Sequence, residues 1–165
     1  MFNYSSWFSN FPPELATFLI AALPISELRG ALPLGYTVYN LSLWSAFLWS
    51  LFGNVASAII FLAILEPVSS FLSNHFRFFQ RFFQWLFERT RKKHSQKFEK
   101  WGALALITFV AIPLPLTGGW SGAIAAFVFG IPFKKAALSI SMGIFLAGII
   151  VALVTLGGVR GWQAL

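Results

Sequence analysis

Cysteine and aspartate are both missing from these 165 residues. Without thiols there is no disulfide framework, no zinc–thiolate site and no thiol nucleophile. Without aspartate, and with only His75 and His94 set in a basic segment, neither a His/carboxylate metal site nor a Ser-His-Asp triad has its parts. No cofactor or metal is implied, and an intramembrane enzyme is the least supported class. Charge is scarce too, 10% of residues against 58% hydrophobic, which is too apolar for a soluble domain. No Lys or Arg precedes Arg29, so the basic n-region of a cleavable signal peptide is not expected.

What is present is apolar sequence in runs long enough to span a bilayer, and the length allows a single membrane domain over residues 1–165. The net charge of +7 is concentrated, with eight of the twelve Lys and Arg in Arg77–Lys100. For so apolar a chain this predicts anionic headgroups and membrane lipids as partners, and no nucleic acid.

One stretch stands apart. Ala22–Tyr36, ALPISELRGALPLGY, holds Glu27 and Arg29 between Pro24 and Pro33, and these are the only charges from Leu15 to Leu65. Ionisable groups in lipid are expensive and mark function. Broken backbone is tolerated at membrane depth only when buried in protein or lining a wet cavity. A second broken stretch, Ala111–Gly122 (AIPLPLTGGWSG), follows about ninety residues later.

In order, Met1–Phe11 reads as an aromatic interfacial lead-in. Pro12-Pro13-Glu14 opens a helix. The apolar run to Ser26 is half of the ~20 residues needed to cross, and Pro24 breaks or kinks it. Ser26-Glu27 is positioned to cap a second short helix that Pro33 and Gly35 interrupt. Two half-length pieces around a break predict a re-entrant hairpin. Leu41–Leu65 is an uncharged run of 25 residues that can span, with Gly53 and Ser57 as a small-xxx-small packing face, Asn54 near its middle and Glu66-Pro67 at its end.

Over Phe71–Arg89, Ser73, Arg77, Gln80, Arg81, Gln84 and Glu88 share one helical face, and Leu72, Phe76, Phe79, Phe83 and Leu86 the opposite one. That pattern predicts an in-plane amphipathic helix, continued by a basic connection to Lys100. Ala103–Phe133 is again uncharged, and it is broken by Pro113, Pro115, Gly118, Gly119 and Gly122. Lys134-Lys135 precede a final span, Ala136–Val159, and a short tail.

A shift of 90 residues lays the first long span on the last: Ala46 on Ala136, Gly53 on Gly143, Ser57 on Ala147. Pro24 falls on Pro113, and Gly30-Ala31 on Gly122-Ala123, at slightly different offsets. The expected fold is an all-α integral membrane protein with two inverted-topology repeats. Each repeat is a re-entrant hairpin plus a transmembrane helix, and a basic amphipathic helix joins them. Repeat one covers 12–66, the linker 67–100 and repeat two 101–159. Each unit crosses an odd number of times, so the second is inverted relative to the first. Arg77–Lys100 and Lys134-Lys135 then share one side, which is cytoplasmic, with both termini outside a prokaryotic plasma membrane.

Glu27 is the candidate proton- or cation-binding group and Arg29 the clamp for an anionic headgroup or phosphate. The competing reading is a structural ion pair or a pair that snorkels to water. Pro113, Pro115, Thr117, Gly118, Gly119, Trp120, Ser121 and Gly122 offer unpaired backbone, two hydroxyls and a helix N-terminus, which binds anions. Equally, they form a tight turn and a close packing surface. Asn54 lines a path or glues helices by a hydrogen bond. Exposed small-xxx-small faces permit a homodimer.

SELRGALPLGY, FVAIPLPLTGGWSGAIAA and GIPFKKAAL together resemble the putative small multidrug export protein family, which is distantly similar to the DedA/VTT superfamily. The resemblance runs from about Glu14 to Leu156, rests on Glu27-x-Arg29-Gly30 with Pro33 and on Pro113-x-Pro115 with Thr-Gly-Gly-Trp, and leaves out the Phe-rich linker. It implies facing re-entrant hairpins and transport. The DedA likeness implies a lipid-carrier cargo of the undecaprenyl phosphate type, with proton coupling through an embedded acid. The second hairpin departs from the DedA pattern in having no charge between Gly102 and Phe133, which leaves Glu27 and Arg29 as the charged candidates. The expected function is proton-coupled movement of an amphipathic or anionic lipid-like substrate. The alternative is a non-transporting scaffold or assembly factor docking through its amphipathic helix.

Overall fold

The computed structural model describes residues 11–91, 96–114 and 117–163. The aromatic lead-in before Phe11 and the candidate site residue Pro115 lie outside the described residues. Among the described residues the helices, in order, are α1 Pro13–Ala22, α2 Glu27–Thr37, α3 Leu43–His75, α4 Arg77–Arg91, α5 Gln96–Ala111, α6 Gly119–Phe129 and α7 Phe133–Gln163. No strand occurs among the described residues.

Local chemistry accounts for most helix ends. α1 begins on Pro13, where the missing N–H is no loss, with Glu14 in its first turn. It stops at Ala22 because Leu23, preceding Pro24, is pushed to extended backbone (φ −73°, ψ 136°). Ser42 caps α3 by accepting from the Ser45 N–H at 3.2 Å. α6 ends at Gly130, whose φ of 68° places it in the left-handed region favoured by glycine.

Four expectations are corrected. Pro33 and Gly35 do not interrupt α2, which runs through both to Thr37. Thr37 donates to the Pro33 carbonyl at 2.7 Å, and Gly35 gives α1 room: a Cβ there would sit 2.9 Å from Thr17 Oγ1. Ser26 does not cap α2, since its backbone is already helical and its hydroxyl makes no capping bond. Glu66-Pro67 does not end the first long helix, which continues to His75. Proline removes one ladder bond there, and Ser69 donates to the Glu66 carbonyl at 2.9 Å just beyond it. Phe71–Arg89 is not one continuous helix: Phe76 is extended (φ −129°, ψ 116°), so Phe71–His75 completes α3 and the basic-aromatic helix starts at Arg77. α7 also runs beyond Val159 to Gln163.

The helices pack as two hairpins against two long rods. α1 and α2 pack on each other and on α3, and α5 and α6 on each other and on α7. α2 also reaches α7, α6 reaches α3, and the two long helices touch. Glycine sets the closest approaches. A Cβ on Gly53 of α3 would collide with the Phe18 carbonyl of α1 and sit 3.0 Å from Ala21 Cβ. A Cβ on Gly143 of α7 would sit 3.0 Å from the Ile107 carbonyl of α5 and 2.6 Å from Val110 Cβ.

The interior is mainly apolar, as in a soluble domain, but it also holds polar side chains, and the exterior carries many large apolar ones. Thr17, Ser50, Asn54 and Ser139 are buried, while Trp44, Phe52, Ile60, Leu138 and Leu153 face outward. α3 and α7 are long and apolar enough to cross a membrane, and only 33% and 39% of their most apolar stretches are buried by protein. A soluble core helix would be mostly covered.

Candidate functional site

The site lies where the two hairpin tips meet. Glu27 opens α2 with a φ of 48°, a left-handed conformation that a non-glycine residue adopts at a cost of about 1–3 kcal/mol. In a regular helix, residues two apart point away from each other. The break at Glu27 lets its carboxylate come within 3.8 Å of the Arg29 guanidinium.

Both side chains then cross to the other hairpin. Glu27 Oε1 accepts the Trp120 N–H of α6 at 3.4 Å, and the Gly119 N–H also bears on the carboxylate. A negative group at a helix N-terminus satisfies otherwise orphaned N–H donors and complements the dipole. Gly118 makes the approach achievable, because a Cβ at that position would fall on the carboxylate. Arg29 donates from Nη1 to the Leu114 carbonyl and from Nη2 to Thr117 Oγ1 at 3.3 Å. The pair thus ties α2 to the first residues of α6 and to the turn before it.

The structure brings Glu27, Arg29, Pro113, Thr117, Trp120 and Ser121 around one open cavity of about 750 Å³. Pro24, Ile25, Ser26, Gly30, Leu34 and Ile124 complete its wall. Of these, Ile25, Leu34 and Ile124 were not singled out from sequence, while Pro24, Ser26 and Gly30 were read as a helix break, a cap and part of the family motif rather than as site residues. The α6 N-terminus, offered as an anion site for a ligand, is occupied by the chain's own Glu27. The two hydroxyls are likewise engaged within the turn. Thr117 Oγ1 lies 2.7 Å from the Ile112 carbonyl and 2.9 Å from that of Leu114, and Ser121 donates to the Gly118 carbonyl at 3.3 Å.

Three other candidates stand apart from the cavity. Pro33 is further along α2. Gly122 packs inside its own hairpin, where a Cβ would meet Val110 and Leu106 of α5. Asn54 is buried on α3 behind the tip: a Cβ on Gly119 would lie 3.0 Å from its Oδ1 and 2.9 Å from Ala58 Cβ. Asn54 Oδ1 has no hydrogen-bond partner among the described residues, and neither has Trp120 Nε1. The Trp120 ring packs against Phe61 of α3, with centroids 4.3 Å apart. The described residues include no cluster of three His or carboxylate groups that could hold a metal.

Residues 27–150 match the family described as Putative small multi-drug export protein. The chain belongs to this family. The match begins at Glu27 and takes in both hairpin tips, all of α3 and most of α7. Membership of this family, together with two helices long and apolar enough to cross a bilayer, makes it a membrane protein. No curated protein and no solved structure gives a match.

Proposed function

We propose that this small multidrug export protein is a proton-coupled transporter of an anionic or amphipathic lipid-like substrate, and that its two hairpins are re-entrant and related by an inverted repeat. The observation that carries the reading is the link across the hairpin tips. One carboxylate holds the N-terminus of α6, and one guanidinium holds the turn before it. Protonation of Glu27 removes the charge that the α6 N–H groups and Arg29 favour, so the tips release. A release of this kind converts a proton into a movement of one hairpin against the other.

Several features support the architecture. Gly119 at the second tip rests against Asn54, Ala58 and Ile144, near the middle of both long apolar helices. The ten residues of α1 rise about 15 Å, half of a hydrocarbon core of roughly 30 Å. The close-approach glycines, Gly53 and Gly143, are 90 residues apart, and the groups they meet, Phe18/Ala21 and Ile107/Val110, are related by a shift of 89. Equivalent glycines touching equivalent neighbours is what a structural repeat requires. Arg77–Lys100 and Lys134-Lys135 then lie on the cytoplasmic side.

The test is transbilayer movement of a labelled polyprenyl phosphate in proteoliposomes, with and without a pH gradient. Gradient-dependent movement by the wild type, lost in Glu27→Gln, is the expected result. Equal movement by Glu27→Gln would contradict proton coupling through this residue. No movement by either would remove the lipid-phosphate cargo and direct the same comparison to amphipathic dyes.

A further inference from the structure

The charges at the cavity differ in how they face it. Glu27 is turned inward onto α6, with its side chain 9% exposed, while the Arg29 side chain is 22% exposed. Both line the cavity, and among the described residues no other ionisable group does. Of the helices packed on the site, α4 touches α6 and carries Arg77, Arg81 and Glu88, none of which lines the cavity. Lys134 and Lys135 start α7, on the order of 15 Å of helix before Ile144. Glu66 and His75 lie in the C-terminal half of α3, past Ala58, and Glu14 is in the first turn of α1. A molecule entering between the hairpins therefore meets a guanidinium first. The remaining wall is largely apolar, with Ile25, Leu34 and Ile124 among its members.

While Glu27 is ionised, its charge and that of Arg29 cancel, and a second anion would meet repulsion from the carboxylate. Once Glu27 is protonated, Arg29 is uncompensated in a partly desolvated wall. We infer that the cavity is a binding site for an amphipathic monoanion, and that the anion and a proton on Glu27 bind together. This rests on the proposed transport reading and adds the sign of the coupling: proton and anion move in the same direction. By linkage the two effects are reciprocal. Acidification tightens anion binding, by up to about tenfold per pH unit where one proton is exchanged, and anion binding draws a proton onto Glu27. The ligand needs a guanidinium-matching oxyanion and an apolar tail. A bilayer lipid headgroup and a free amphiphile both supply that chemistry.

The experiment uses octanesulfonate, whose charge does not change with pH, and the detergent-solubilised full chain. Calorimetric titration in two buffers of different ionisation enthalpy gives the protons taken up per anion bound. The wild type is expected to take up close to one proton over part of the pH range, and methanesulfonate, lacking the tail, to bind at least tenfold more weakly. Glu27→Gln is expected to bind octanesulfonate with no proton uptake and no pH dependence. Arg29→Gln is expected to lose binding, and because that loss could reflect misfolding, proton uptake by the wild type decides the matter. In nanodiscs, an anionic lipid displaces the sulfonate if a headgroup is the natural occupant and fails to do so if a free amphiphile is, with the same proton uptake in both cases. Absence of binding, binding without proton uptake, or uptake that survives in Glu27→Gln overturns the inference. Tighter binding of octyltrimethylammonium, with proton release, overturns it in favour of a cation. Binding without proton exchange alongside Glu27-dependent transport would leave the proposed function standing. Transport by Glu27→Gln equal to the wild type would remove the proposed function itself.

Discussion

Glu27 sits at the start of α2 and accepts from α6, and its neighbours leave little room for change. Gly118→Ala places a methyl group on the carboxylate. The expected outcome is displacement of Glu27 from α6 and loss of at least tenfold in transport, about 1.4 kcal/mol in the barrier, checked by initial rates in proteoliposomes. Arg29→Lys keeps the charge but has no planar fork to reach both the Leu114 carbonyl and Thr117. It is expected to lose roughly 1 kcal/mol of the link, read as a lower midpoint in thermal unfolding, with transport reduced rather than abolished. Glu27 and Arg29 were legible in the sequence because they are the only charges in a long apolar stretch. Their partners were not. Trp120 is 93 residues from Glu27, and nothing local announces that a carboxylate on one hairpin will cap a helix on the other. For the hydroxyls of Thr117 and Ser121 a binding role and a turn role stood equal, because residue type does not reveal that a turn has already engaged them.

At the scale of elements, the two hairpins owe their shape to proline and their fit to glycine. The breaks at Pro24 and around Pro113–Gly118 were readable because proline restricts the residue before it and ends helices. The same rule misled at Pro33 and Pro67, where the helices run through: Gly35 packs α2 on α1 beside Pro33, and beyond Pro67 Ser69 donates to the Glu66 carbonyl. The extended residue Phe76 has no punctuating Gly or Pro, so the break it makes was not visible. Gly53 and Gly143 give the sharpest prediction. Gly53→Ala and Gly143→Ala are expected to destabilise by about 1–3 kcal/mol each through overpacking. A Cβ on Gly157 of α7 meets nothing within 4 Å, so Gly157→Ala is expected to be neutral or to stabilise by up to ~1 kcal/mol through helix propensity. Thermal unfolding of the three variants in one detergent checks the contrast.

The whole molecule is organised by a membrane. Its buried interior holds Thr17, Ser50, Asn54 and Glu27 while its outer surface is apolar. That was legible from composition; the positive-inside rule adds the expectation that the basic clusters lie on the cytoplasmic side. The absence of native cysteine makes orientation easy to measure. Single cysteines at Lys134 and at Gln80 are expected to be labelled from the cytoplasmic side, and one at Phe11 from the outside. Labelling of Lys134 and Gln80 positions from opposite sides would contradict the inverted repeat. The most direct test of the account concerns the tips. Spin labels on Ser26→Cys and Ser121→Cys, both lining the cavity, report the distance between the hairpins in nanodiscs. The account predicts a close, narrow distribution in alkaline buffer and a longer, broader one in acid, with Glu27→Gln fixed in the longer form at both. A distribution that ignores pH, or a Glu27→Gln protein as closed as the alkaline wild type, would contradict the claim that this carboxylate holds the hairpins together.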